Sequence, residues 1–193
     1  MAIYTKISKN NIASIEKKFN LGKIISFKGI KKGIENTNYL IKTKKNKYIL
    51  TIFEKRVQKR DLPFFMNLMD KLYNYNINCP KPQKNKAGNY SINIKNKPAS
   101  IVSFVEGKDK NKLKIKDCYE IGKNVAKFHI ASKKIKLRRK NSMSLKIWPK
   151  ILNKIDNRSR IINPNLNYLM KEALLEIKTK WPKNLPRGII HGD

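Results

Sequence analysis

The most chemically suggestive residues in this 193-residue chain lie at 191–193, where the sequence reads His-Gly-Asp. An apolar pair, Ile189 and Ile190, leads into them, as a buried strand would when it delivers a polar group to a site. A second candidate is the stretch GIKKGIENTNY at 29–39. Gly29 and Gly33 permit tight backbone, and Asn36, Thr37 and Asn38 put short polar side chains beside exposed N–H groups. A loop of that kind between two strands can cradle phosphate. It is not a Walker A loop, because no GK[ST] follows. It is not a dinucleotide fingerprint either, because a strand rather than a helix comes next. Glycine and asparagine between strands also make ordinary turns. The loop therefore carries weight only through the elements around it. The two cysteines, Cys79 and Cys118, lack metal-ligand spacing and are too few for a disulfide framework.

Composition narrows the classes. The chain is long enough for one domain or two small lobes with a real core. No apolar stretch approaches the roughly 20 residues of a membrane span, and the start, MAIYTKISKN, has no apolar h-region of a secretory signal. The expectation is a cytoplasmic, reduced protein. The net charge of +32 admits a nucleic-acid or anionic-membrane partner. A/T-rich codon usage accounts for it better. Lys 38, Asn 23 and Ile 27 together make 88 of the 193 residues, and Asn and Ile add nothing to phosphate binding. Only 7 residues are Arg, the side chain that forks onto phosphate and guanine.

The elements that must position the candidates follow from pattern. Ser8 caps a first helix running to about Phe19, with Ile12 and Ile15 on one face. Three β-prone runs follow, at 23–28, 39–43 and 48–53, separated by the Gly/Asn turn and by KKNK. A helix over 61–76 carries Leu62, Phe65, Leu68, Met69 and Leu72 at helical spacing, with Pro63 in its first turn. NYSINIKNKPASIVSFVEG supplies two more strands. Past Gly107 the chain turns helical. Asp117 and Glu120 stand at capping-box spacing, and Ile121, Val125 and Phe128 form the expected buried face. His129 is expected as a packed structural residue, and Trp148 and Trp181 as core anchors.

A glycine/asparagine loop on the first hairpin, a helix, two strands, a linker, a helical part and a final His-x-Asp loop make the layout of a protein-kinase-like fold. There the loop covers nucleotide phosphates, the linker meets adenine, and the Asp accepts the substrate hydroxyl proton. The class expected is α+β in two lobes: a nucleotide-binding lobe over 1–104 with a five-stranded antiparallel sheet, and part of a helical lobe over 105–193.

On the segments FKGIKKGIENTNYLI, YILTIFEKR, DLPFFMNLMDKL, CPKP, NKPASIVSFVEG, EIGKNVAKFHIAS and RGIIHGD, the chain resembles, end to end, the bacterial homoserine kinases of the aminoglycoside-phosphotransferase-like and choline-kinase-like group. The resemblance implies ATP-dependent phosphorylation of L-homoserine to O-phospho-L-homoserine, a step toward threonine. By position it implies Asp193 as catalytic base, Asn36, Thr37 and Asn38 as the phosphate-covering loop, and Ser103, Phe104 and Val105 as the linker that meets adenine. Thr51 stands where protein kinases carry a lysine on the third strand. In this family an Asn and a second Asp that hold Mg²⁺ follow the catalytic loop. Neither occurs up to Asp193, so the chain by itself resembles an N-terminal fragment and is expected to be inactive. Two alternatives stay open: a kinase of the same fold acting on choline or an aminoglycoside, and a basic nucleic-acid-binding module whose affinity would collapse above roughly 200 mM salt.

Overall fold

The fold is known from a computed structural model, which describes residues 3–191. Two compact units divide the chain. One comprises residues 1–137 with 189–193, and the other residues 138–188.

The first unit opens with α1 (Lys9–Lys18), which starts where its sequence says it must. Ser8 is the N-cap, its Oγ accepting from the Asn11 N–H at 3.4 Å, and Asn11 Oδ1 reciprocally accepts from the Ser8 N–H at 3.0 Å. Five strands follow: β1 (Ile24–Gly29), β2 (Thr37–Thr43), β3 (Lys47–Ile52), β4 (Ser91–Ile94) and β5 (Lys97–Ser103). They form one sheet in the order β1-β2-β3-β5-β4, antiparallel throughout. The β4–β5 turn closes on Lys95 and Asn96, both at positive φ, the twist a tight hairpin requires. Both sheet edges are irregular or short: β1 is bulged between Ile24 and Ser26, and β4 spans Ser91–Ile94 only.

Alternation sorts the strand residues between two faces. Tyr39, Ile41, Tyr48, Leu50, Ile52, Ala99 and Ile101 turn to one side, where Ile12, Ile15 and Phe19 from α1 and its C-cap close the core. Burying these side chains supplies the main stabilisation, at about 1.5–3 kcal/mol for each large one.

Between β3 and β4 runs α2 (Leu62–Asn74), with Pro63 in its first turn and Leu62, Met66 and Leu72 buried. Asp70 on α2 faces Tyr90, just ahead of β4. Burial and that carboxylate push the Tyr90 phenol up to about 12. α3 (Ile115–Lys133) packs through Phe128 and Ala131, joined by Ile135 just past its end, against Leu72, Ile77 and Cys79. Here the structure departs from the sequence pattern. Asp117 is not the cap but the third helical residue, its carboxylate accepting from the Lys114 N–H at 3.0 Å. Ile121 and Val125 are exposed, Phe128 is half-buried, and His129 is exposed rather than packed. Helical spacing places residues on one face but does not supply a neighbour to cover it.

The second unit consists of α4 (Trp148–Ile162) packed on α5 (Leu166–Lys180). Leu152, Ser159 and Asn167 are its buried residues. Trp148 and Trp181 meet edge to face with centroids 6.0 Å apart. Trp181 remains 44% exposed, so the pair caps one end of the helices and does not anchor a core.

Candidate functional site

The face of the sheet opposite α1 carries Asn38 and Thr51, and register places them. Asn38 lies opposite Thr51, and Thr51 opposite Ser100. One step along the strands, Leu40 lies opposite Ile49, and Ile49 opposite Val102. This face therefore has a polar end, next to the 29–39 loop, and an apolar end, next to residues 103–105. Asn38 and Ser103 are two strands and three residues apart in register. With strands about 4.8 Å apart and a rise of about 3.4 Å per residue, that is roughly 14 Å, the scale of an extended nucleoside triphosphate.

At the polar end, Thr51 Oγ1 donates to Asn38 Oδ1 at 2.8 Å. The amide oxygen is thereby engaged, and the Nδ2 hydrogens remain as donors. Asn36 Oδ1 accepts from the Glu54 N–H at 3.4 Å. Thr37 behaves differently from its neighbours. It is fully buried, and its hydroxyl accepts from the Tyr4 N–H at 2.9 Å and the Thr5 N–H at 3.1 Å while donating to Glu54 Oε1 at 2.6 Å. A hydroxyl has one proton and two lone pairs, so all its capacity is used. The tip of the loop, residues 31–35, is exposed, with Gly33 at φ +104°. Ion pairs tie Glu35 to Arg56 and Lys32 to Asp109. The Lys32 ammonium beside Asp109 holds that carboxyl below its ordinary value.

Sequence reasoning passed over Glu54. Its side chain is 7% exposed and pairs with Lys97, while Oε1 also accepts from Thr5 Oγ1 at 2.8 Å. Burial pushes its carboxyl up. The Lys97 ammonium and the Thr37 and Thr5 hydroxyls outweigh that and hold it below the usual carboxylate value. Glu54 stands 49 residues from Thr5 and 43 from Lys97, so no local pattern announces the group.

At the apolar end, two linker amides are already committed. The Ser103 N–H donates to Lys81 O at 2.8 Å and the Phe104 N–H to Lys47 O at 3.0 Å. Ser103 Oγ accepts from the Lys81 N–H at 2.8 Å. Lys47 holds Phe104 in place, its ammonium 5.4 Å from the ring centroid and 2.6 Å from Glu106 Oε1. The exposed Val105 makes no hydrogen bond among the described residues, so its N–H is the linker donor left available. A pocket of about 410 Å³ opens beside Ser103 and Phe104, lined also by Lys45, Lys47 and Gln83.

Residues 189–191 form no strand. Ile189 packs with Leu72, Ala131 and Ile135, Ile190 is exposed, and His191 is exposed. Asp193 lies outside the described residues. Among the described residues no cluster of His, Cys, Asp and Glu could hold a metal ion, and no helix is long and apolar enough to cross a membrane.

The chain is 37% identical over 193 residues to the homoserine kinase of Methylocella silvestris and 36% identical to that of Bradyrhizobium sp., covering 100% of this chain and 60% of each relative. The chain thus spans about 60% of the length of these relatives. A solved spectinomycin phosphotransferase in complex with ADP and spectinomycin superimposes with a TM-score of 0.63 at 13% identity, over 95% of this chain and 60% of that one. A microcompartment-associated aminopropanol kinase gives 0.56 at 13% identity, over 72% and 46%. These likenesses establish the expected α+β, protein-kinase-like fold. Residues 26–193 match the profile of the phosphotransferase enzyme family, a span that takes in the loop, the linker and all of the sheet but the first two residues of β1, and the chain belongs to that family.

Proposed function

We propose that this chain is the nucleotide-binding part of an ATP-dependent homoserine kinase. The observation that carries the reading is the gradient across one sheet face. Leu40, Ile49 and Val102 lie beside the linker, whereas Asn38, Thr51 and Ser100 lie beside the glycine/asparagine loop. An apolar floor next to a free Val105 N–H suits a purine edge, and amide donors next to a φ-positive glycine suit phosphate. Residues 1–104 form the nucleotide lobe in this proposal, and residues 105–193 begin the helical lobe. Thr51 takes the place of the usual lysine by orienting Asn38, so neutral amide donors meet the phosphate oxygens instead of an ammonium. Asp193 is the base that accepts the substrate hydroxyl proton. Magnesium, which would neutralise phosphate charge, is not held by any described carboxylate cluster. Homoserine as substrate rests on the names of the relatives at 36–37% identity.

The test is homoserine-dependent ADP release by the protein carrying this chain at the full length of its relatives. Choline and an aminoglycoside serve as competing acceptors. Turnover with homoserine, lost by at least about 10³-fold in Asp193→Asn, supports the reading. Preference for another acceptor, or an Asp193→Asn variant with unchanged kcat, overturns it.

A further inference from the structure

We infer that Glu54 is a positioning residue for the phosphate-facing loop, acting by fastening the N-terminal segment 3–8 across it as a strap. The inference rests on the nucleotide reading above for what the loop faces, but its geometry is independent of that reading.

The strap meets the loop at three places. At the root, the backbone N–H groups of Tyr4 and Thr5 both donate to Thr37 Oγ1. At the tip, Tyr4 OH donates to Ile34 O at 2.8 Å. At the start, the Ile3 side chain sits where a Cβ on Gly29 would project, so the glycine makes room for the strap. Further along, Tyr39 OH donates to Thr5 O at 3.0 Å and accepts from the Ile7 N–H at 3.2 Å. Glu54 joins these contacts. One carboxylate oxygen receives both threonine hydroxyls, the other pairs with Lys97, and its own N–H binds the Asn36 amide. Lys97 Nζ also donates to Thr5 Oγ1 at 2.9 Å, which closes the ring of contacts.

This arrangement explains why Thr37, alone among the three loop residues, is buried. Its hydroxyl holds the loop from behind, so that Asn36 and Asn38 on either side present their amides. A phosphate-binding loop loses affinity when it must be ordered on binding, and a strap fixes it beforehand. Glu54 touches no substrate and acts through Thr37 and Asn36.

The experiment compares the 193-residue chain with Thr5→Val, Thr5→Ser and Glu54→Ala variants. Two readouts are used. The first is glutamyl endopeptidase cleavage after Glu35, at the loop tip, with Glu172 and Glu176 on α5 as internal controls. The second is affinity for ATP and, separately, for adenosine. Thr5→Val should cleave after Glu35 about tenfold faster with the controls unchanged, because the two hydrogen bonds of the Thr5 hydroxyl, together of about tenfold worth, are lost. ATP affinity should weaken about tenfold while adenosine affinity stays constant, and Thr5→Ser should restore both. A Glu54→Ala chain that fails to fold leaves Thr5→Val to decide. Unchanged cleavage in Thr5→Val, or an equal loss for ATP and adenosine, overturns the inference. If the unaltered chain binds neither ligand, the nucleotide reading fails, and cleavage after Glu35 alone decides whether the strap positions the loop.

Discussion

Replacing Lys97 by methionine tests the electrostatics around Glu54. The substitution keeps the aliphatic stem and removes the cation paired with a carboxylate that is 7% exposed. Breaking a buried pair from one side costs about 3–5 kcal/mol. Lys97 is itself 38% exposed, so water screens part of the interaction, and the expected loss is about 2 kcal/mol at neutral pH. For a chain of this length that corresponds to a fall in Tm of roughly 4–8 °C. The loss should depend on pH with a definite sign. In the unaltered chain the Glu54 carboxyl lies below its ordinary value of 4.5, despite burial, because Lys97, Thr37 and Thr5 outweigh desolvation. Its stabilisation is present above that ordinary value and disappears as pH falls through the lowered folded value. Without the Lys97 ammonium, only the two hydroxyls oppose burial and the carboxyl moves up from its lowered value, so the variant is penalised at neutral pH and relieved as the group protonates. The deficit should therefore shrink as pH falls from 7 toward 4. Urea unfolding followed by far-UV circular dichroism measures it. Both tryptophans, Trp148 and Trp181, lie in the unit spanning 138–188, so their fluorescence follows that unit as a control. A deficit under about 0.5 kcal/mol, or one constant with pH, refutes the reasoning. A Glu54→Gln/Lys97→Met double variant should recover much of the loss, because no unpaired charge is left buried.

Other outcomes can be checked separately. Leu50→Ala, at a fully buried position of β3, should cost about 2–5 kcal/mol in urea unfolding. Gly33→Ala should strain a backbone at φ +104° by about 1–2 kcal/mol and weaken ATP binding without affecting adenosine, as measured by calorimetry. A thiol reagent should modify the exposed Cys118 well before Cys79, whose thiol is half-buried, pushed up by burial and hydrogen-bonded to Met69 O at 3.6 Å; mass spectrometry of early digests reads the order.

The local elements were legible because their causes are local. Ser8 and Asn11 stand three apart and cap α1, and alternation marked 39–43 and 48–53 within one or two residues of β2 and β3. The loop was legible from its glycines and asparagines. The sequence did not reveal that Thr37 is spent on the N-terminal segment. That fact depends on Thr5, Glu54 and Lys97 meeting across separations of up to 92 residues. α3 shows the converse limit. Ile121, Val125 and Phe128 follow helical periodicity, yet only Phe128 is partly covered. Periodicity describes a helix by itself, whereas burial needs a second surface.

The two edges of the sheet have a consequence for self-association. An open sheet ends in strands whose unpaired N–H and C=O groups can recruit a strand from another molecule. Here β4 is too short to offer a long ladder and runs into Lys95, while β1 is bulged between Ile24 and Ser26 and carries exposed Lys23 and Lys28 at its ends. A bulge twists the edge out of register, and a docking strand would also have to bring these ammonium groups close to their own copies. Some of the lysine excess therefore lies where it keeps the sheets of separate molecules from joining edge to edge.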